Sequence, residues 1–148
     1  MLKTSIPSRW PLGPPPAGED RWSWSPQLLA ELPHIRRDLR RALPADHAGP
    51  CTEVDDELHE RLVLLMDELL SNALRHGDAP VVGAVRRTDS AWLLVVSDAA
   101  ADTPPHPAHD RDPALGGLGL RMVADLSAGY GWCSEDGRKC VWALLSVG

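Results

Sequence analysis

The chain has 148 residues, of which 43% are hydrophobic, and this fits one globular domain with an ordinary core. Its formal net charge of -6 argues against a broad electrostatic surface for nucleic acid. No apolar run is long enough to cross a membrane, and prolines interrupt the N-terminus where a signal peptide needs an apolar core, so the expected location is the cytoplasm.

The first part of the chain is expected to be an arm followed by a strand. Residues 1–20 are rich in Pro and Gly and have no apolar period, which is typical of a disordered segment. A single domain is then expected over 21–148. Its first element is 21–25, which reads R-W-S-W-S and alternates like a short edge strand.

Two helices are predicted next. Ser25, which is followed by Pro, is expected to cap a first helix that ends near Leu43, with Pro33 as a point where that helix kinks or restarts. The second helix is the longest in the chain. Apolar residues recur at steps of three and four over 52–76, and Gly77 is a favourable residue at the C-terminal end of a helix.

The second half of the chain predicts two hairpins, separated by a long loop over 98–113 and a short helix. The predicted segments are strands at 80–87, 91–97, 129–134 and 138–147 and a helix at 118–127. Because the strands come in hairpins, the predicted fold is a two-layer α/β (α+β) sandwich. Its sheet is expected to be mixed and largely antiparallel, with the helices covering one face.

The last hairpin contains two of the cysteines. Asp136 and Gly137 form a two-residue turn signal, and counting outward from this turn pairs Cys133 with Cys140. The three cysteines suit a reducing compartment and make no metal quartet. We therefore expect Cys133 and Cys140 to be adjacent free thiols and not a structural disulfide.

Glu68 and Asn72 are four residues apart on the longest helix, so their side chains project from the same side. A rotation of about 100° per residue places both on the flank of the apolar stripe, where a ligand beside the helix would meet them. A carboxylate there can act as a general base, and an amide oxygen can bind a hard cation. The alternative is a pair of helix-edge residues without a special role.

Asp98 follows an apolar run at the end of a predicted strand. An Asp in this position is commonly a turn residue whose side chain bonds the local backbone. A carboxylate on the floor of a pocket can also accept a hydrogen bond from the exocyclic amine of adenine, and it would repel the carbonyl oxygen that guanine presents at that position. Both interpretations stay open for Asp98.

A glycine-rich turn leads into the short helix. It consists of Gly116, Gly117, Leu118, Gly119 and Leu120. Glycines let the backbone approach a phosphate closely, and a helix N-terminus supplies oriented N–H groups. The turn is not a P-loop, because the Lys-Ser/Thr pair is missing and the segment does not sit in a parallel βαβ unit.

These three signals occur in one order, and together they resemble the GHKL (Bergerat-fold) ATPases. The run from Glu68 to Gly77 (E-L-L-S-N-A-L-R-H-G) is similar to the N-box of that family, V-S-D ending at Asp98 is similar to an adenine box, and 117–123 is similar to a second glycine box. The resemblance covers about 21–147. The chain resembles in particular the branch of anti-sigma-factor serine kinases and their ATP-binding relatives in actinomycetes.

The resemblance implies a Bergerat-type fold with ATP and Mg²⁺ as ligands. It implies Glu68 as the catalytic base, Asn72 as the magnesium ligand, Asp98 as the adenine reader and 116–120 as the phosphate contact. One departure bears on turnover. The fuller adenine box of the family reads D-x-G-x-G, whereas this chain has D-A-A-A-D over 98–102, so the glycines that let the backbone pass close to the nucleotide are absent.

Two functions are compatible with this resemblance. The first is an ATP-dependent serine/threonine kinase that phosphorylates an anti-anti-sigma-like partner and can sequester a sigma factor, and Glu68 favours it. The second is a non-catalytic ATP-binding module that sequesters a regulatory protein, and the missing glycines favour it. Neither contacts nucleic acid or a membrane directly, and both are compatible with a homodimer. A third alternative is a plain α/β domain without a nucleotide.

Residues 102–115 of the long loop are expected to form a mobile lid that becomes ordered when nucleotide binds. The length of the loop, its prolines and the glycines that end it suggest this role. His106, His109, Asp110 and Asp112 lie within it and could be read as a metal cluster. Because these residues lack helical spacing and sit in a Pro-rich loop, the lid is the favoured interpretation.

Overall fold

The computed structural model describes residues 10–105 and 118–147. Within these ranges the chain forms five strands and three α-helices. The strands are β1 (Glu19–Trp24), β2 (Val82–Arg87), β3 (Ala91–Asp98), β4 (Gly129–Glu135) and β5 (Arg138–Ser146). The helices are α1 (Leu32–Asp46), α2 (Glu53–His76) and α3 (Leu118–Leu126), and a 3-10 turn at Leu29–Glu31 precedes α1.

The strands form one sheet in the order β1-β2-β3-β5-β4, and each neighbouring pair is antiparallel. The central helix α2 contacts α1, α3 and the sheet strands β3 and β5. The predicted two-layer α/β architecture is therefore confirmed. The sequence analysis expected a mixed, largely antiparallel sheet, whereas every pair of the described strands is antiparallel. A parallel contact is found as an isolated bridge between Leu12 and Trp132, outside the strands.

The core lies between the helices and one face of the sheet. Trp92, Leu94 and Val96 of β3 belong to it, because alternate side chains of a strand point to the same face. Gly83 of β2 shows how closely α2 packs on the sheet, since a Cβ at this position would lie 2.8 Å from Cδ2 of Leu70. This packing fixes α2, and with it the side chains on its flank.

α1 begins later than the sequence predicts. The predicted helix starts after Ser25, whereas the structure has a 3-10 turn and begins α1 at Leu32. Pro33 explains the difference, because it lies in the first turn of α1, where its missing N–H removes no helical hydrogen bond. Leu28, which the apolar pattern predicts to be buried together with Leu32 and Ile35, is 65% exposed.

α2 has the predicted bounds. The hydroxyl of Thr52 accepts a hydrogen bond from the N–H of Asp55 at 3.2 Å, and the Asp55 carboxylate accepts one from the N–H of Thr52 at 2.8 Å, which is a capping box. Gly77 ends the helix with a φ of -95°, a conformation that other residues also adopt. Neither α2 nor the other described helices combine the length and apolarity needed to span a bilayer.

The end of the expected arm packs onto the sheet. Trp10 is 3% exposed, and its ring meets the ring of Tyr130 edge-on at 4.8 Å. The N–H of Gly13 donates to the carbonyl of Trp132 at 2.8 Å. The structure thus differs from a disordered arm over 10–20, because one large apolar side chain is buried despite the Pro-rich composition. The remainder of the arm, 1–9, lies outside the described residues.

The last hairpin has the predicted register. Asp136 and Gly137 have φ values of 53° and 76°, as a two-residue type I′ turn requires. Cys133 lies opposite Cys140, and both thiols are free. Burial, reinforced by the neighbouring Cys133, raises the pKa of Cys140 to about 12, so Cys140 stays a thiol at neutral pH.

Candidate functional site

α2 presents Glu68 and Asn72 at the edge of the core. Both side chains are half-buried, whereas Leu69 and Ala73 are buried. One helical turn separates Glu68 from Asn72, so they share one flank of α2. This is the placement that the sequence predicts, and it brings a carboxylate and an amide to the same side of the helix.

α3 packs against α2 at Glu68. A Cβ on Gly119 would overlap Oε2 of Glu68 and would lie 2.9 Å from its Cδ. The next residue, Leu120, is 2% exposed and anchors this start of α3 in the core. Glycine is therefore required at 119 by space, since any side chain would displace either the carboxylate or the helix.

The surroundings of Glu68 favour its protonated form. Burial raises the pKa of Glu68, the charge of neighbouring Asp67 raises it further, and Arg75 opposes both. Asp67 itself is held by Arg36 of α1 at 2.6 Å. A carboxylate with a raised pKa is a stronger base once ionised, and this is the property that a general base needs.

Asp98 lies at the end of β3 against the end of α2, and it is 1% exposed. A Cβ on Gly77 would lie 2.5 Å from both Cγ and Oδ2 of Asp98, so this glycine makes room for the carboxylate. Oδ1 of Asp98 accepts a hydrogen bond from the N–H of Ala100 at 2.7 Å. The turn role considered for Asp98 is thus observed. It leaves Oδ2 to other partners.

Lys139 is the partner of Asp98 that the sequence analysis missed. The two residues are opposite each other in the β3–β5 ladder, and Nζ of Lys139 lies 3.5 Å from Oδ2 of Asp98 and donates to the carbonyl of Thr103 at 2.9 Å. Lys139 is 3% exposed. This contact could have been predicted only from the register of β3 with β5, which places Lys139 opposite Asp98 on the same face of the sheet. A shift of one residue in that register would turn Lys139 to the other face.

Other predicted site residues lie outside the described residues. These are Gly116 and Gly117 of the glycine turn and 106–115 of the expected lid, with its histidines and aspartates. Leu118 is the first residue of α3. Of the glycine turn, the structure thus places Gly119 against Glu68 and buries Leu120 in the core.

A cavity of about 320 Å³ opens at the C-terminal end of α2. It is lined by 25–27, by Ala73 and Gly77, and by 79–81. Among the described residues that line it, none is Glu68, Asn72 or Asp98. The cavity borders the arrangement of candidate site residues through Gly77, which lies against Asp98.

The family of the chain follows from its sequence as a whole. The histidine kinase-like ATPase domain matches residues 26–145, which is most of the chain. The chain belongs to this family, and the resemblance to the GHKL ATPases is confirmed. It is therefore a member of a class of ATP-binding domains.

One solved structure with a similar chain is that of the Acinetobacter baumannii histidine kinase AdeS. The identity is 15%, the match covers 84% of this chain and 66% of that chain, and the TM-score is 0.44. The chain thus spans just under two thirds of the length of that structure. No curated protein is significantly similar in sequence.

Proposed function

We propose that this ATP-binding domain is a cytoplasmic serine/threonine protein kinase of the anti-sigma type, which uses ATP with Mg²⁺ to phosphorylate a small anti-anti-sigma-like protein. One observation carries the proposal. The carboxylate of Glu68 lies against Gly119 at the start of α3, and burial raises its pKa. A candidate base thus stands next to the helix start that the glycine pattern assigns to phosphate.

Glu68 and Asn72 have separate roles in this proposal. Glu68 holds the hydroxyl of a serine or threonine of the partner and accepts its proton while the γ-phosphoryl group moves to that oxygen and ADP leaves. Asn72 offers a neutral amide oxygen on the same flank, a ligand type that suits Mg²⁺ held jointly with phosphates. The cation would neutralise charge on those phosphates.

Asp98 is the proposed adenine reader. A carboxylate has about four acceptor sites. In Asp98 one of them is used by the N–H of Ala100, and Lys139 lies 3.5 Å from Oδ2 as an ion-pair partner. The remaining acceptor sites suit the exocyclic amine of adenine. Lys139 and Gly77 act as positioning residues here, because the first orients the carboxylate and the second leaves room for it.

A second candidate function is the non-catalytic module, in which bound ATP stabilises a surface that captures a regulatory protein. The specific observation in its favour is the chain after Asp98. Residues 99–101 are alanines, and the Asp98 carboxylate already holds this segment through the N–H of Ala100. A backbone without glycines and tied in this way approaches a nucleotide less closely, so binding without turnover is compatible with it.

The test separates binding from transfer. The purified chain is incubated with labelled ATP, Mg²⁺ and the anti-anti-sigma-like proteins of the same genome. Glu68→Ala is expected to leave ATP affinity nearly intact and to lower transfer by about two to four orders of magnitude, the usual contribution of a general base. Asn72→Ala is expected to weaken Mg²⁺-dependent ATP binding itself.

Glu57→Ala is the matched control, because Glu57 is an exposed glutamate on the same helix and should leave both readouts unchanged. Full transfer by Glu68→Ala would refute the kinase mechanism. ATP binding by the parent chain without transfer to any of the partners would establish the binding module instead.

A further inference from the structure

A cluster of metal-ligating residue types lies at the start of α2. Its members are His47 and Cys51 of the loop between α1 and α2, and Asp55, Asp56 and His59 in the first turns of α2. His47, Cys51 and Asp55 offer ligand atoms that lie within 4.8 Å of one another, and so do Cys51, Asp56 and His59. Cys51 is common to the two sets, so the five residues form one group.

His47 has the orientation of a metal ligand. Its Nδ1 lies 3.1 Å from the carbonyl oxygen of Gly49, and because a carbonyl can only accept, Nδ1 carries a proton. In the neutral ring Nε2 then presents a lone pair, and this atom lies 3.2 Å from Oδ2 of Asp55. Two acceptors at this distance repel each other unless a proton or a metal ion lies between them.

His59 provides a second and independent observation. It is 7% exposed, and its Nδ1 is buried without a hydrogen-bond partner among the described residues. Its ring lies edge-on to the ring of His47, with centroids 6.3 Å apart. A buried nitrogen without a partner is costly, and an ion bound by His59 through Nδ1 would remove that cost.

We propose that this cluster binds one divalent cation of the zinc class. Cys51 is the shared ligand, His47 and His59 supply nitrogen, and one of the carboxylates of Asp55 and Asp56 completes the set. A thiolate with two imidazoles selects zinc over magnesium or calcium. Bonds of about 2.0–2.3 Å place tetrahedral ligands about 3.3–3.6 Å apart, so the atoms of each set of three have to contract by about 1 Å. His47 and His59 belong to different sets, so the loop residue His47 has to move further to share one ion with His59.

The zinc site is independent of the proposed nucleotide site. His59 and Glu68 are nine residues apart on α2, which corresponds to about 13 Å along the helix axis. The ion would join the loop after α1 to the first turns of α2. The alternative is a metal-free arrangement of the same residues, in which His47 pairs with Asp55 and His59 is a packed core residue. Cys51 has a role only in the first arrangement.

Metal titration of the full chain distinguishes these arrangements. After treatment with a chelator, the protein is titrated with Zn²⁺ in competition with a chromophoric chelator, and with Co²⁺ as a spectroscopic probe. We expect one equivalent to bind, with a thiolate-to-cobalt charge-transfer band and the visible bands of four-coordinate cobalt. Cys51→Ser should abolish the charge-transfer band and lower the Zn²⁺ affinity by at least about 100-fold, since even outer-shell changes cost about 10–100-fold.

The control is the double variant Cys133→Ser/Cys140→Ser, which removes the other two thiols and should bind like the parent. His47→Ala provides a second test at a half-buried position and should also weaken binding, with circular dichroism used to confirm that each variant is folded. Absence of stoichiometric binding, equal affinity in Cys51→Ser, or loss of binding in the double control would each overturn the proposal.

Discussion

The backbone of Gly119 lies against the carboxylate of Glu68, and this contact leaves no room for a side chain at the start of α3. The two residues are 51 positions apart in the chain, yet they join the helix that carries the proposed base to the glycine turn assigned to phosphate. The position of one therefore depends on the other.

The substitution Gly119→Ala tests this contact, because the contact predicts whether the variant is more or less stable than the parent. An alanine in a helix is normally more stable than a glycine by about 0.5–1 kcal/mol. At Gly119 we expect the opposite, a loss of about 1–3 kcal/mol from overpacking, with reduced phosphate transfer, because the new methyl group displaces Glu68. Chemical denaturation measures the first effect and the transfer assay the second.

Gly13→Ala is the control, because a Cβ there has nothing within 4 Å. A more stable Gly119→Ala variant with undiminished transfer would show that Glu68 does not depend on the space at Gly119.

Glu68 should make stability depend on pH. Its pKa is raised in the folded chain, chiefly by burial, so ionisation opposes folding. The stability that the neutral Glu68 side chain contributes is fully present below the unfolded pKa of about 4.3. This stability is lost as pH rises through the folded pKa. Glu68→Gln, which stays neutral, should therefore be more stable than the parent at pH 7 and lose this advantage near pH 4.

Thermal unfolding of both proteins between pH 4 and pH 8 measures this difference, with the exposed Glu57→Gln as a variant that should show none. A parent chain more stable than Glu68→Gln at pH 7 would mean that the carboxylate is stabilised as an anion.

Asp98 and Lys139 should be energetically coupled. Both are buried and their charged atoms lie 3.5 Å apart, and removing one partner of a buried pair costs about 3–5 kcal/mol because the other charge is left uncompensated. We expect this cost for Asp98→Ala and for Lys139→Met. The double variant should lose clearly less than the sum of the two. Additive losses in urea unfolding would show that the pair does not interact.

Cys140 should be protected from alkylation. With its pKa raised to about 12 by burial, about one thiol in 10⁴ is ionised at pH 8, and only the thiolate reacts. In a Cys51→Ser/Cys133→Ser variant, which keeps the burial of Cys140 but loses the contribution of Cys133, we expect iodoacetamide to react with native Cys140 at least about 10-fold more slowly than with the same residue in denaturant. Similar rates in the two conditions would place Cys140 at the surface.

Local signals predicted much of the fold. The apolar period with Gly77 predicted α2, and Asp136 with Gly137 predicted the last hairpin, because each signal depends on residues close in sequence. The start of α1 was misplaced because Pro33 acts as a first-turn residue there. The order of the strands in the sheet depends on contacts between residues that are far apart in the chain. Local sequence signals therefore do not predict it.

The site shows the same limit. The sequence placed Glu68 and Asn72 on one flank of α2, because helical spacing alone determines it. It did not reveal Lys139, whose contact with Asp98 depends on the β3–β5 register. Nor did it reveal that Gly77 and Gly119 are required for space beside two carboxylates, since that requirement comes from packing between elements.

The most direct test of the account is nucleotide binding by calorimetry, with ATP and with GTP, in the presence and absence of Mg²⁺. We expect ATP to bind, to bind more weakly without Mg²⁺ because Asn72 and the phosphates hold the cation jointly, and to exceed GTP in affinity by about 10- to 100-fold because the Asp98 carboxylate repels the guanine carbonyl. Equal affinity for GTP would contradict the role of Asp98, and absence of ATP binding would contradict the function proposed for this site.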